Sequence, residues 1–134
     1  MNRKLLCLIL ANSILTLSCK EASTPQKTVK TTPTPVYAEI PQDPLLKSGR
    51  EVWMETCKMC HEYGIEGAPK IGNYEEWKPR IAKGKEVLYD HAINGFSGVH
   101  IDMPPRGGNK DLTDEQVKHA VNYMIGLSNN NKEK

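Results

Sequence analysis

Five consecutive residues, Cys57-Lys58-Met59-Cys60-His61, set two thiols three positions apart with an imidazole directly after the second. Two thiols on one turn of backbone reach the two vinyl groups on one side of a porphyrin and add to them as thioethers. The imidazole beside the second thiol then lies under the iron, with a neutral ring nitrogen as ligand. The order C-x-x-C-H is the attachment pattern of a c-type haem. Thiol pairs also hold structural zinc or carry out dithiol exchange. A zinc site asks for a second ligand pair at related spacing, and the other cysteines, Cys7 and Cys19, both lie near the N-terminus. A thioredoxin-like site asks for a βαβ context, and none follows the motif. A haem-free metal or dithiol module is the rival reading from a different class.

An iron held by His61 on one face needs an account of the other. Met54 and Met59 lie too close to the attachment site to reach over the ring. Met124 falls on the apolar stripe of the last helix and reads as core, and His119 points off that stripe toward solvent. Met103, His91 and His100 remain. Met103 stands in Asp102-Met103-Pro104-Pro105-Arg106-Gly107-Gly108, where two prolines stiffen the chain just beyond the thioether.

The elements that must position these groups are helical. Asp43 is an N-cap and Pro44 suits the first helical position. Leu45, Leu46, Gly49, Val52, Trp53 and Thr56 then recur at helical spacing and lead directly into Cys57. Gly49 inside that helix costs about 1 kcal/mol relative to alanine, a cost that close approach of another backbone would offset. Asn73 caps a turn that continues from Tyr74 to Ala82 with a break or bend at Pro79. A third stretch, Lys85 to Asn94, stops at Gly95. The last helix begins at a capping box, Thr113 with Gln116, and Val117, Ala120, Val121, Met124 and Ile125 form its apolar face. Residues 129–134 read as a frayed tail. No alternating strand pattern of useful length occurs, so the domain, residues 44–128, is expected to be all-α.

With 134 residues, one Phe, two Trp and five Tyr, the chain has a thin apolar supply for a self-sufficient core. A covalently held, largely apolar macrocycle fills that gap. The 18 basic and 16 acidic residues nearly balance, which offers no footprint for nucleic acid.

Ahead of the domain, Arg3 and Lys4 precede a mostly apolar run from Leu5 to Leu17, too short for a membrane span and typical of a secretory signal. It ends in Leu15-Thr16-Leu17-Ser18-Cys19, similar to a bacterial lipobox. Residues 1–18 are therefore expected to be a lipoprotein-type signal peptide, with Cys19 as the lipidated N-terminus. An ordinary signal cleaved near Ser18, or an uncleaved anchor, is the simpler alternative. Residues 19–43, rich in Pro and Thr, lack apolar periodicity and read as a disordered linker. Export places the motif on the periplasmic side of the cell envelope, lipid-anchored, with the membrane itself undetermined.

The ordered set Cys57-x-x-Cys60-His61, Gly64-x-x-Gly67-Ala68-Pro69-Lys70-x-Gly72, Trp77-x-x-Arg80, Gly95-Phe96-x-Gly98, Met103-Pro104-Pro105-x-Gly107-Gly108, Asp114-Glu115 and Tyr123-Met124 resembles the class I monohaem c-type cytochromes, especially the short bacterial members of the cytochrome c-five group. The likeness spans Leu45 to Leu127. It implies a cytochrome c fold, about four short helices around one haem c bound through Cys57 and Cys60. It further implies His61 and Met103 as axial ligands and the Pro69 carbonyl as acceptor for the far nitrogen of His61. Trp77 would lie near a haem propionate, with Arg80 a weaker candidate there. Gly49 would be the contact between first and last helices, with Tyr123 opposite. The chain departs from some relatives in lacking a cysteine pair after the Met-Pro loop, and Val99-His100-Ile101 inserts a histidine before Asp102.

The expected function is one-electron transfer by a carrier in the periplasm or envelope, without enzymatic activity. The alternative is a haem-based sensor or redox-enzyme domain with an open distal site. Expected partners are redox proteins (a quinol-oxidising complex, a terminal oxidase or another reductase) in a respiratory chain, with the carrier itself a monomer. Lys58, Lys70, Lys78, Lys83, Lys85 and Arg106 are candidates for steering acidic partners.

Overall fold

The computed structural model describes residues 34–98 and 102–132. The expected signal peptide, Cys19, the start of the expected linker, residues 99–101 with His100, and the last two residues lie outside the described residues.

The Asp43 carboxylate accepts the N–H groups of Leu45 and Leu46, both at 2.9 Å, and Pro44 fills the first helical position. Helix α1, Pro44–Val52, continues through a π-helical turn, Trp53–Cys57, into α2, Lys58–Tyr63. In that turn the Lys58 N–H reaches back five residues to the Trp53 carbonyl. The helical run therefore passes through the first cysteine rather than ending at it. Gly64, at φ 73°, closes α2.

Helix α3, Tyr74–Ile81, is capped by Asn73 and runs through Pro79 without the expected break. Pro79 lies near its C-terminal end, so one backbone bond is lost rather than a run of them. Helix α4, Lys85–Asn94, ends at Gly95, whose φ is 91°. Two short strands, β1 (Phe96–Ser97) and β2 (Asp102–Met103), pair antiparallel with Phe96 opposite Met103. This ladder is an addition to the all-helical expectation, too short to show as alternation in the sequence. Helix α5, Asp114–Asn129, starts at the complete Thr113–Gln116 capping box.

The core forms where α1 and α5 cross. A β-carbon on Gly49 would sit 2.1 Å from the His119 carbonyl oxygen and 3.1 Å from the Tyr123 β-carbon. The two backbones approach that closely only because residue 49 has no side chain. Trp53 and Tyr123 pack beside this contact, ring centroids 5.9 Å apart, and both are fully or nearly fully buried. Val117, Ala120, Val121, Met124 and Ile125 complete the α5 face.

Two segments expected to be unstructured are docked instead. Tyr37 packs against Trp53 with ring centroids 4.9 Å apart and planes tilted by 48°, its carbonyl accepts from Arg50 Nε at 3.2 Å, and its hydroxyl donates to the Glu62 carboxylate. Lys58 Nζ lies 5.5 Å over the same ring and 3.5 Å from Glu62. A segment of low apolar content still docks when one aromatic finds a partner ring and its polar ends are bonded. At the other end, Asn131 donates to the Gly72 carbonyl at 3.1 Å and Lys132 Nζ sits 5.4 Å over the Tyr74 ring.

The bond to Glu62, with burial second, pushes the Tyr37 phenol from 10.0 up to about 12. The folded state then holds a proton that the unfolded chain has lost between about pH 10 and 12. The associated stability is present below pH 10 and is lost as pH rises to 12. Unfolding measured across that window is expected to show a falling limb that Tyr37→Phe removes. An identical limb in the variant would place its origin elsewhere.

Candidate haem site

The helical run brings the motif together. Cys57 leaves the π turn into an apolar cleft that it lines with Val52, Met103, Leu112, Val121 and Met124. Burial, with the neighbouring Cys60 adding to it, pushes the Cys57 thiol up to about 11. Cys60, one turn on, is exposed, and neither cysteine forms a disulfide. Among the described residues, the one charged side chain lining the cleft, Arg106, turns to the Leu112 carbonyl at 3.0 Å and to Asp114 at 2.7 Å.

His61 is 7% exposed. Its Nδ1–H donates to the Pro69 carbonyl at 2.9 Å, and Nε2 hydrogen bonds to none of the described residues. Burial is the main cause holding the imidazole below its usual range, reinforced by the Arg80 charge and opposed by the bond to Pro69. The ring is thus neutral, with its proton on Nδ1 and the Nε2 lone pair available. That is the tautomer an iron ligand requires.

The loop carrying Pro69 is fixed at several points. Ile71 N–H donates to the His61 carbonyl at 2.7 Å. Lys70 N–H donates to Glu76 Oε2 at 2.8 Å, and Trp77 Nε1–H donates to the Lys70 carbonyl at 2.7 Å. Gly72 N–H donates to Ser128 Oγ at 3.1 Å, and Ser128 is fully buried at the end of α5.

Trp77 lies beside His61. Its indole N–H is committed to Lys70, and its ring, 4% exposed, lies 6.2 Å from the His61 ring. It braces the imidazole and the loop that holds it. Met103 lines the same cleft as Cys57, carried on β2 by its pairing with Phe96. His91 stacks on Phe96 with centroids 4.3 Å apart and is not among the residues lining the cleft. Met124, read from the sequence as core, is buried and also lines the cleft.

Three of the candidate steering cations are engaged: Lys58 with Glu62, Arg106 with Asp114, and Lys78 at 5.8 Å over the Tyr74 ring. Two large apolar side chains flanking Cys60 in sequence are exposed, Met59 at 68% and Tyr63 at 63%.

Glu76, Ser128 and Tyr37 take part in this neighbourhood and are not among the sequence-predicted site residues. Ser128 had a signal: it continues the Val117, Val121, Met124 spacing by four residues. Glu76 and Tyr37 act through contacts that no periodicity encodes.

The residues present fit a c-type haem. One thiol opens into an apolar cleft, the second follows a turn later, a neutral buried imidazole has a free Nε2, and a thioether lies on the same cleft. A zinc reading asks for converging donors, and among the described residues no three His, Cys, Asp or Glu side chains converge on one point.

Comparison with known proteins agrees with this geometry. A family profile described as cytochrome c oxidase, cbb3-type, subunit III matches residues 44–124. The chain is 46% identical over 81 residues to cytochrome c-555 of Chlorobaculum thiosulfatiphilum, covering 60% of this chain and 94% of that protein. It is 37% identical over 81 residues to cytochrome c5 of Azotobacter vinelandii, covering 60% and 95%. Among solved structures it is similar to a chain in a crystal structure of an electron transfer complex of nitrite reductase with cytochrome c. That match has a TM-score of 0.56 and 32% identity, and covers 64% of this chain and 96% of the other.

Proposed function

This chain belongs to the cytochrome c family, and on that premise we propose that His61 and Met103 are the axial ligands of its haem in a carrier that works outside the cytoplasmic membrane. The family domain carries one covalently bound haem c, and its function is haem-based electron transfer. The observation that carries the ligand assignment is the pairing of a buried His61, its proton fixed on Nδ1 by Pro69, with Met103 on the cleft that Cys57 enters.

When bound, the haem iron takes up and releases one electron. Cys57 and Cys60 hold the group through thioethers, so it is not lost between partners. Pro69 keeps the His61 ring oriented through Nδ1. Met103 would supply the second protein ligand and keep small molecules from the iron, as a carrier requires. A neutral His/Met pair and burial among Val52, Leu112, Val121 and Met124 both favour the reduced state.

Redox proteins are the partners, met through a small transient contact. The exposed Met59 and Tyr63 beside Cys60 are the natural docking surface. The apolar run at Leu5–Leu17 and the lipobox-like Leu15–Cys19 stretch support a periplasmic, lipid-anchored location, with lipid on Cys19.

Haem is expected to stay with the polypeptide through denaturation and acid–acetone extraction, and the ferrous protein is expected not to bind carbon monoxide. Colour lost to the solvent would exclude thioether attachment. Rapid carbon monoxide binding would favour an open-site sensor. Fractionating the same cells alongside Cys19→Ser reads the anchor: the parent in membranes and the variant released support it, and equal distribution removes it.

A further inference from the structure

The Pro69 carbonyl that accepts from His61 and the Lys70 N–H that donates to Glu76 are the two ends of one peptide group. His61 Nδ1–H meets the carbonyl oxygen at 2.9 Å, and Glu76 Oε2 meets the N–H at 2.8 Å. The second oxygen of Glu76 accepts from the Asn73 side chain, so the carboxylate is held in place from the start of α3. Beyond it, Trp77 fixes the next peptide through the Lys70 carbonyl at 2.7 Å.

A carboxylate on the N–H end of a peptide polarises the whole group and makes its carbonyl oxygen a stronger acceptor. The bond to His61 is strengthened, the imidazole gains electron density, and Nε2 becomes a better donor to a metal. We propose that Glu76 is a positioning and tuning residue for the redox centre, setting the electron density on His61 through the Pro69–Lys70 peptide. The consequence for the iron is greater stabilisation of the ferric state and a lower potential. This rests on the reading of His61 as an axial ligand. The sequence offers no sign of the relay, because Glu76 lies on another helix and reaches His61 only through backbone atoms.

The test uses the holoprotein as purified, with Glu76→Gln, Glu76→Ala and, as control, Glu75→Gln. Glu75 is exposed one residue away, so its substitution removes the same charge without touching Lys70. Two quantities are read: the midpoint potential, and the hydrogen exchange of the His61 Nδ1–H proton by NMR. Glu76→Ala is expected to raise the potential and speed exchange about fivefold, the factor for one net hydrogen bond. Glu76→Gln keeps an acceptor oxygen and loses the charge, so it is expected to shift both quantities part of the way. Glu75→Gln is expected to leave exchange unchanged. If Glu76→Gln matches the parent in both while Glu76→Ala does not, Glu76 only braces the loop and the proposal fails. Three variants indistinguishable from the parent overturn it as well. A parent that lacks a low-spin haem c spectrum or the bonded His61 proton overturns the axial-ligand reading and the relay together.

Discussion

Met103→Ala is expected to bind carbon monoxide in its ferrous form, one molecule per haem, where the parent binds none, and to have a midpoint lower by roughly 0.2 V, within the ~0.8 V range that axial ligands span. The side chain lost is the thioether on the cleft that Cys57 enters, while the backbone pairing of residue 103 with Phe96 does not depend on that side chain. Beyond it, Pro104 is extended and Arg106 is tied to Leu112 and Asp114, so the loop keeps its supports. What would change is therefore ligation: on the proposed assignment, a neutral sulfur that favours ferrous iron is lost. Met124 lines the same cleft, and Met124→Leu serves as the control, conserving volume at a buried site. Its potential and spectrum are expected to stay close to the parent's. A Met103→Ala protein with the parent's spectrum, potential and resistance to carbon monoxide would move the ligand to Met124 or to a histidine.

The second large effect concerns the crossing of α1 and α5. Alanine at position 49 gains up to about 1 kcal/mol of helix propensity over glycine. Against this, its β-carbon would lie 2.1 Å from a backbone oxygen and 2.6 Å from a backbone carbon of His119. Neither atom can rotate away as a side chain would, so the helices must separate, at about 1–3 kcal/mol or more for overpacking. Separation also loosens Trp53 and Tyr123, the largest buried rings beside the contact. Gly49→Ala is expected to be destabilised by about 2 kcal/mol net, and Gly49→Val by more. Gly126→Ala provides the opposite sign. It lies in the same α5, its φ is not positive, and among the described residues nothing stands within 4 Å of its new carbon. It is expected to gain roughly 0.5–1 kcal/mol from propensity alone. Denaturant unfolding of the holoprotein measures both, and a Gly49→Ala as stable as Gly126→Ala would mean that the helices do not meet at residue 49.

Helix starts were legible because they are local. Asp43 with Pro44 and Thr113 with Gln116 announce themselves within four residues, and the apolar spacing of Val117 to Ile125 fixes the face that α5 buries. The all-helical class followed from the same periodicity, and C-x-x-C-H states its chemistry in five letters. What stayed hidden depends on pairs distant in sequence. Tyr37 looks like part of a polar leader until Trp53 and Glu62 are beside it. Glu76 looks like a solvated residue in the first turn of a helix until the Lys70 N–H is placed on it. The Trp77 indole proton is held by a backbone carbonyl seven residues earlier, a bond that its place in the motif does not announce. Hydrogen bonds between a side chain and a distant main-chain atom leave no composition or period to read. The π turn is hidden for another reason: Trp53 to Cys57 has no glycine or proline to mark it.

That turn has a consequence for the angular setting of the whole segment. An α-helix advances about 100° per residue, so inserting or deleting one residue swings everything downstream by that angle. The wide turn between Trp53 and Lys58 takes up extra chain at one place. It lets α1 keep Gly49 and Val52 against α5 while α2 is set independently, with His61 inward and Met59 outward. A helical wheel drawn from Pro44 loses its phase at Cys57. The packing helix and the cofactor-bearing helix are thereby two rotors on one shaft, and the length of the chain between them is as constrained as the identity of any ligand.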